Sequence, residues 1–219
     1  MDLDRILSQL LSSPARAGLA GAVAGGLLTS RGGRKLGKKA LELGGAAALA
    51  GLAYAAWQRH RQGAPQARSL PAPTPERLRA TGFLPEGRAA NEEFGRAVFR
   101  AMVAAARADG RLDERERGAL LGEIGKLALS EADRAELYAE IEEAVTIDDV
   151  VASATTPERA LELYTASWLA TGADTPAERG YLTLLAARLG LDDALVAELH
   201  RELTASDAAA QDAPLRPAL

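Results

Sequence analysis

The sequence predicts an all-α protein: Gly/Ala-rich N-terminal helices, a proline-rich linker and a C-terminal helical bundle. Three observations predict it. Ala and Leu dominate an apolar fraction of 47%, while aromatic residues make up 4%, and such a composition leans towards helix. From residue 90 onward, apolar residues recur at three- and four-residue spacing between helix-start and helix-stop signals. No run alternates Val, Ile or Thr with polar residues between turn pairs.

Charge divides the 219 residues into two parts. Residues 1–70 hold ten Arg/Lys and three Asp/Glu, a balance of +7, and residues 71–219 hold sixteen and twenty-seven, a balance of −11. The sum is the net charge of −4. A basic N-terminal third suits anionic lipid or nucleic acid. An acidic remainder is either a solvated helical surface or a cation-binding one.

The N-terminal segment, residues 1–61, opens on a short amphipathic helix. Leu3, Ile6, Leu7, Leu10 and Leu11 form its stripe before Pro14. The first residues lack a basic n-region and a cleavage site, so no signal peptide is predicted. Two Gly/Ala-rich stretches follow, residues 17–28 and 43–57. Between them stand Arg31, Arg34, Lys35, Lys38 and Lys39. The second stretch has no charge, and its fifteen residues reach about 22 Å as a helix, against a hydrocarbon core of about 30 Å. Basic clusters flank it, and Tyr54 and Trp57 sit near one end like an aromatic belt. Small residues recur every four positions, as at Ala47, Gly51 and Ala55, a spacing that lets helices approach closely in lipid. Leu43, Leu49, Leu52, Tyr54 and Trp57 are therefore the expected membrane-contacting residues. Two soluble readings compete. One is an Ala/Gly-rich hairpin or a disordered basic tail. The other is a scaffold whose N-terminal helices pack on the domain, with a continuous apolar contact as its mark.

Residues 62–85 read as a linker, with Pro65, Pro71, Pro73, Pro75 and Pro85 favouring extended chain and breaking helices. The helical domain is expected over 86–205. Its first helix presents Phe94, Ala97, Val98, Ala101, Met102 and Ala105, and stops at Asp109-Gly110. Asp113 and Glu116 read as a capping box before Leu120, Leu121, Ile124 and Leu127. Ser130 starts a helix carrying Leu137 and Ile141, and Thr146 with Asp149 a short one. Thr156-Pro157 and Thr175-Pro176 pair an N-cap with a first-turn proline. Leu161, Tyr164 and Trp168 follow the first, and Leu182, Leu185 and Leu189 the second. Gly190 ends that helix. Asp192 caps the last one, with Leu195, Leu199 and Leu203, and the tail from 206 to 219 reads as disordered. Glu116-Arg117-Gly118-Ala119-Leu120 echoes Glu178-Arg179-Gly180-Tyr181-Leu182, which suggests two halves with pseudo-twofold symmetry.

The run from Ala106 to Glu116, Ala-Arg-Ala-Asp-Gly-Arg-Leu-Asp-Glu-Arg-Glu, resembles the signature of TerB-like domains, named for tellurite resistance. Thr156-Pro157-Glu158 and the run from Asp174 to Leu182 fit as well. The whole chain is similar to the YebE-like subgroup of inner-membrane bacterial proteins, which join a Gly-rich N-terminal segment to a TerB-like domain. The resemblance implies an all-helical domain linked to stress or metal resistance, acidic residues that bind a metal, and no enzyme activity. Here Thr171-Gly172-Ala173 stands opposite Asp109-Gly110-Arg111, which leaves Asp174 and Glu178 as the acids of the second half.

Asp109, Asp113 and Glu116, joined by Asp174 and Glu178, are the candidate ligands for a divalent cation. Oxygen donors of this kind suit Ca²⁺, Mg²⁺ or Mn²⁺. Capping and helix termination account for the same residues without a metal. The chain has no Cys and only His60 and His200, which excludes thiolate chemistry and a histidine-rich zinc site. No phosphate loop and no nucleophile elbow occurs. The basic segment lacks interleaved aromatics, which argues against nucleic acid. The expectation is thus a non-enzymatic protein of the bacterial inner membrane with its helical domain cytoplasmic. It meets anionic lipid through its N-terminus, binds a protein partner or divalent cation through the domain, and can self-associate through small-residue helix faces. The alternative is a soluble metal-dependent enzyme or a soluble scaffold using the acidic junction.

Overall fold

A computed structural model describes residues 45–63, 73–108, 110, 131–143, 145–171, 173 and 175–211. Among these residues there are helices and no strands. In chain order they are α1 (Gly45–Gln62), α2 (Pro75–Ala80), α3 (Arg88–Ala106), α4 (Glu131–Glu142), α5 (Ile147–Ala152), α6 (Pro157–Thr171), α7 (Pro176–Arg188) and α8 (Asp193–Gln211).

Helix α6 forms the centre. Every residue from Ala160 to Thr171 is buried except Trp168, as expected of a helix enclosed on all sides. It packs along α3, and also against α1 and α7. The hydroxyls this burial encloses are hydrogen-bonded. Thr165 donates to Leu161 O at 2.6 Å, and Ser167 donates across to Ala101 O at 3.2 Å. Such bonds remove the cost of burying a hydroxyl.

Helix α1 belongs to the same core. Ala50, Ala53 and Ala56 have no exposure, and Leu49 and Tyr54 are buried. It lies along α8 and crosses α6. The small side chains admit this close approach, and Gly51 sits where an added Cβ would touch Pro73 at 3.7 Å. Specific contacts tie the helix down. Arg59 pairs with Glu202 of α8, and Arg77 Nε donates to the Tyr54 hydroxyl at 3.1 Å. Tyr54 and Trp57 meet the edge of Phe83 at centroid distances of 5.5 and 5.6 Å. The domain therefore begins at or before residue 45 and crosses the boundary expected near 86.

The expected linker is partly structured too. Thr74 caps α2 by accepting from Arg77 N at 3.3 Å, with Pro75 in the first turn. Leu78, Phe83 and Leu84 are all buried. At the other end α8 runs on to Gln211, past the Ser206 where the sequence suggested a stop. Ala208, Ala209 and Ala210 carry the best helix propensity of any residue.

The capping signals at Thr146, Thr156, Thr175 and Asp192 appear as read, while those at Asp113 and Ser130 lie outside the described residues. Thr146 with Asp149 and Thr175 with Glu178 form complete capping boxes. Arg159 N donates to Thr156 Oγ1, and Ala194 N donates to Asp192 Oδ1. Gly190 follows α7 at φ +66°, a left-handed turn that glycine adopts without strain.

Candidate functional site: an arginine-lined cleft

A cleft of about 380 Å³ opens between α3, α5 and the start of α6. Arg96 and Arg100 come from one face of α3, four residues apart, and Arg159 from the first turn of α6. Glu93 and Asp149 stand at the same opening, and Ala97 and Ala152 contribute small apolar walls.

Arg100 and Arg159 are anchored from behind. Arg100 Nε donates to Glu140 Oε2, and Glu140 is buried on α4. Arg159 Nη1 donates to Glu162 Oε2 at 2.9 Å, while its guanidinium lies 3.9 Å over the Phe94 ring. A cation stacked on an aromatic face is held in orientation as well as attracted. Glu162 has no exposure, and its Oε1 has no hydrogen-bond partner among the described residues. Burial pushes the Glu162 carboxyl up to about 8, with Arg159 opposing that rise. Asp149 is held below the usual carboxylate range by its bonds from Thr146, with the Arg100 charge as a smaller cause. Each anchored arginine has committed one N–H to its acid. The remaining donors of these planar forks suit a carboxylate or other oxyanion.

A second polar pair lies elsewhere. The Tyr164 hydroxyl is 3.0 Å from His200 Nε2, with the rings stacked and Trp168 beside them. Burial raises Tyr164 to about 12 and lowers His200.

Glu178 sits in the α7 capping box: its Oε2 accepts from Thr175 N at 2.9 Å, and its own N–H donates to Thr175 Oγ1 at 3.2 Å. Thr175→Ala is expected to cost about 1 kcal/mol, read as a melting-temperature drop of about 2–4 °C. Asp109, Asp113, Glu116 and Asp174 lie outside the described residues, as does the first copy of the internal echo. Among the described residues no three His, Asp or Glu side chains come together in a way that could hold a metal ion. Leu43 also lies outside. Leu49 and Tyr54, expected at lipid, are buried in the core, and Leu52 and Trp57 pack against it. An uncharged Ala-rich face satisfies a protein interior as well as a bilayer. No described helix is long and apolar enough to cross a membrane.

One family model matches residues 14–203. The chain belongs to the DUF533 family. Proteins of this family are described as of unknown function. The match covers α1, α2 and the bundle alike, in keeping with one DUF533 unit whose core includes them all. No curated protein and no solved structure matches the chain.

Sequence reasoning did not single out Arg96, Arg100 or Arg159. In an acid-rich segment each reads as an ordinary surface partner. Only the packing of α3 against α6 brings them to one opening.

Proposed function

We propose that this DUF533 protein is a non-enzymatic binding protein of the bacterial inner membrane surface. Residues 1–44 make the membrane contact, and the helical domain carries the partner site. The observation that supports this division is the seating of α1 inside the domain. Lys39 and Gly45 are separated by only residues 40–44. Five residues reach about 17 Å at full extension, against about 30 Å of hydrocarbon. The basic run 31–39 and the domain therefore share one face of the membrane, and positive charge favours the cytoplasmic face. Anionic headgroups attract each nearby Lys or Arg by about 1 kcal/mol. The resemblance to TerB-like and YebE-like proteins supports a role in envelope stress or metal resistance. It also makes Asp109, Asp113 and Glu116 the place to seek a divalent cation.

Vesicle sedimentation of the full chain tests this reading. Vesicles containing phosphatidylglycerol are expected to bind it and to release it in 1 M salt, where screening shortens to about 3 Å. Replacing Arg31, Arg34, Lys35, Lys38 and Lys39 with Gln is expected to weaken binding at least about a hundredfold. Equal binding to pure phosphatidylcholine would overturn the electrostatic contact. Resistance to salt and alkaline carbonate, with release only in detergent, would replace surface contact with insertion.

A further inference from the structure

We infer that the arginine-lined cleft binds a monocarboxylate joined to a small apolar body. This gives the partner-binding half of the proposed function a ligand class and rests on that half alone.

The first ground is pre-organisation. Arg100 and Arg159 are each fixed by a buried acid on another turn or helix, and Arg159 is also laid flat on Phe94. A fork held this way loses little freedom when it closes on a carboxylate, and that saving appears as affinity. The second ground is charge. The three guanidinium groups at the opening are offset by Glu93 and Asp149 there, and by Glu140 behind Arg100. These charges balance, which disfavours a phosphate dianion and leaves recognition of a single carboxylate to the oriented donors. The third ground is the apolar part of the lining. Ala90, Ala97 and Ala152 leave space by their small size, and Pro85 and the Phe94 ring add apolar surface. A volume of about 380 Å³ falls in the range of small-ligand sites, about 300–1,000 Å³. Such a ligand has two sources, a free small acid or the C-terminal residue of a protein chain, and both present the same chemistry.

Nitrogen-15 NMR of the full chain distinguishes them. The probes are hexanoate, the peptide N-acetyl-Ala-Ala-Leu with a free carboxylate, its C-terminal amide, and inorganic phosphate. Saturable shifts are expected at the Arg100 and Arg159 Nε–H signals and at the backbone amides of residues 152–155. Tighter binding of the peptide acid assigns the site to a chain terminus, and tighter binding of hexanoate to a free acid. Ala152→Phe fills the cleft from α5 without touching either ion pair, and is expected to weaken binding about tenfold with the melting temperature unchanged. Arg100→Lys keeps a charge opposite Glu140 but loses the fork, and is expected to weaken binding to a similar degree. Three results would overturn the inference: no saturable shift with either acid, phosphate or the amide binding as tightly as the acids, or unaltered binding by Ala152→Phe. The vesicle assay reads residues 31–39, so either proposal can fail without the other.

Discussion

A chain beginning at residue 86 is expected to lose its cooperative thermal transition, while a chain beginning at residue 44 keeps that of the full protein. The shorter chain lacks α1 and α2. Leu49, Tyr54, Leu78, Phe83 and Leu84, all buried, are worth about 1.5–3 kcal/mol each on full burial. Their partners on α6 and α8 lose cover at the same time. The loss is on the order of 10 kcal/mol, as large as the whole stability of an ordinary domain, about 5–15 kcal/mol. Calorimetry and near-ultraviolet circular dichroism read the outcome directly. The expected product retains helix, binds hydrophobic dye and shows no sharp melt. Point changes scale the same effect. Tyr54→Ala removes a buried ring and the acceptor of Arg77, at about 3–5 kcal/mol. Ala53→Leu overpacks the α1 contact, at about 1–3 kcal/mol. A sharp melt of the shorter chain within a few degrees of the full protein would show that α1 is an accessory to the core.

That prediction concerns the part of the fold least legible in the sequence. The capped helices were legible because a cap is a local bargain between a side chain and a backbone amide three residues on. Thr146, Thr156, Thr175 and Asp192 all sit where spacing put them. Helix α2 carries the same signal: Thr74-Pro75-Glu76 matches Thr156-Pro157-Glu158. The neighbouring prolines masked it by suggesting continuous extended chain. Helix α1 was legible as a helix but not as a core element. Alanine at close spacing permits tight packing in lipid and in protein alike, and nothing local states which surrounds it. The deciding contacts, Arg59 with Glu202 and Arg77 with Tyr54, span distances that periodicity does not see. The cleft is hidden for the same reason. Glu162 illustrates it best. Glu158, Arg159 and Glu162 at the start of α6 resemble a solvated charged face, yet Glu162 is fully enclosed.

Glu162 also sets the second large effect: the protein is expected to lose stability as pH rises from 7 to 9. In the fold its carboxyl titrates near 8, raised from an ordinary value of 4.5. Between these values the folded state holds a proton that the unfolded state has released. Stability then falls with rising pH. The contribution is fully present below about pH 4.5 and is lost as pH passes through about 8. Its size is on the order of a few kcal/mol. The groups that act on Glu162 are Arg159, which opposes the rise, and Glu158, which adds to it. His200 titrates with the opposite sign. Burial lowers it, so its contribution is lost as pH falls below its ordinary value of 6.5. The window from pH 7 to 9 therefore isolates Glu162. Glu162→Gln stays neutral and still accepts from Arg159, so its melting temperature should be flat across that window and match or exceed the parent at pH 8. Glu162→Ala should cost about 3–5 kcal/mol at pH 7, because it leaves a cavity and strips Arg159 of its buried partner, and less at pH 9, where the parent has lost the contribution of the buried proton. Arg159→Gln should steepen the slope, since without the opposing cation the enclosed carboxyl keeps its proton across the whole window while the unfolded chain has released it. Calorimetric scans at pH 7, 8 and 9 on the three variants decide the matter. If Glu162→Gln falls with pH as steeply as the parent, the buried carboxyl is not the group that titrates.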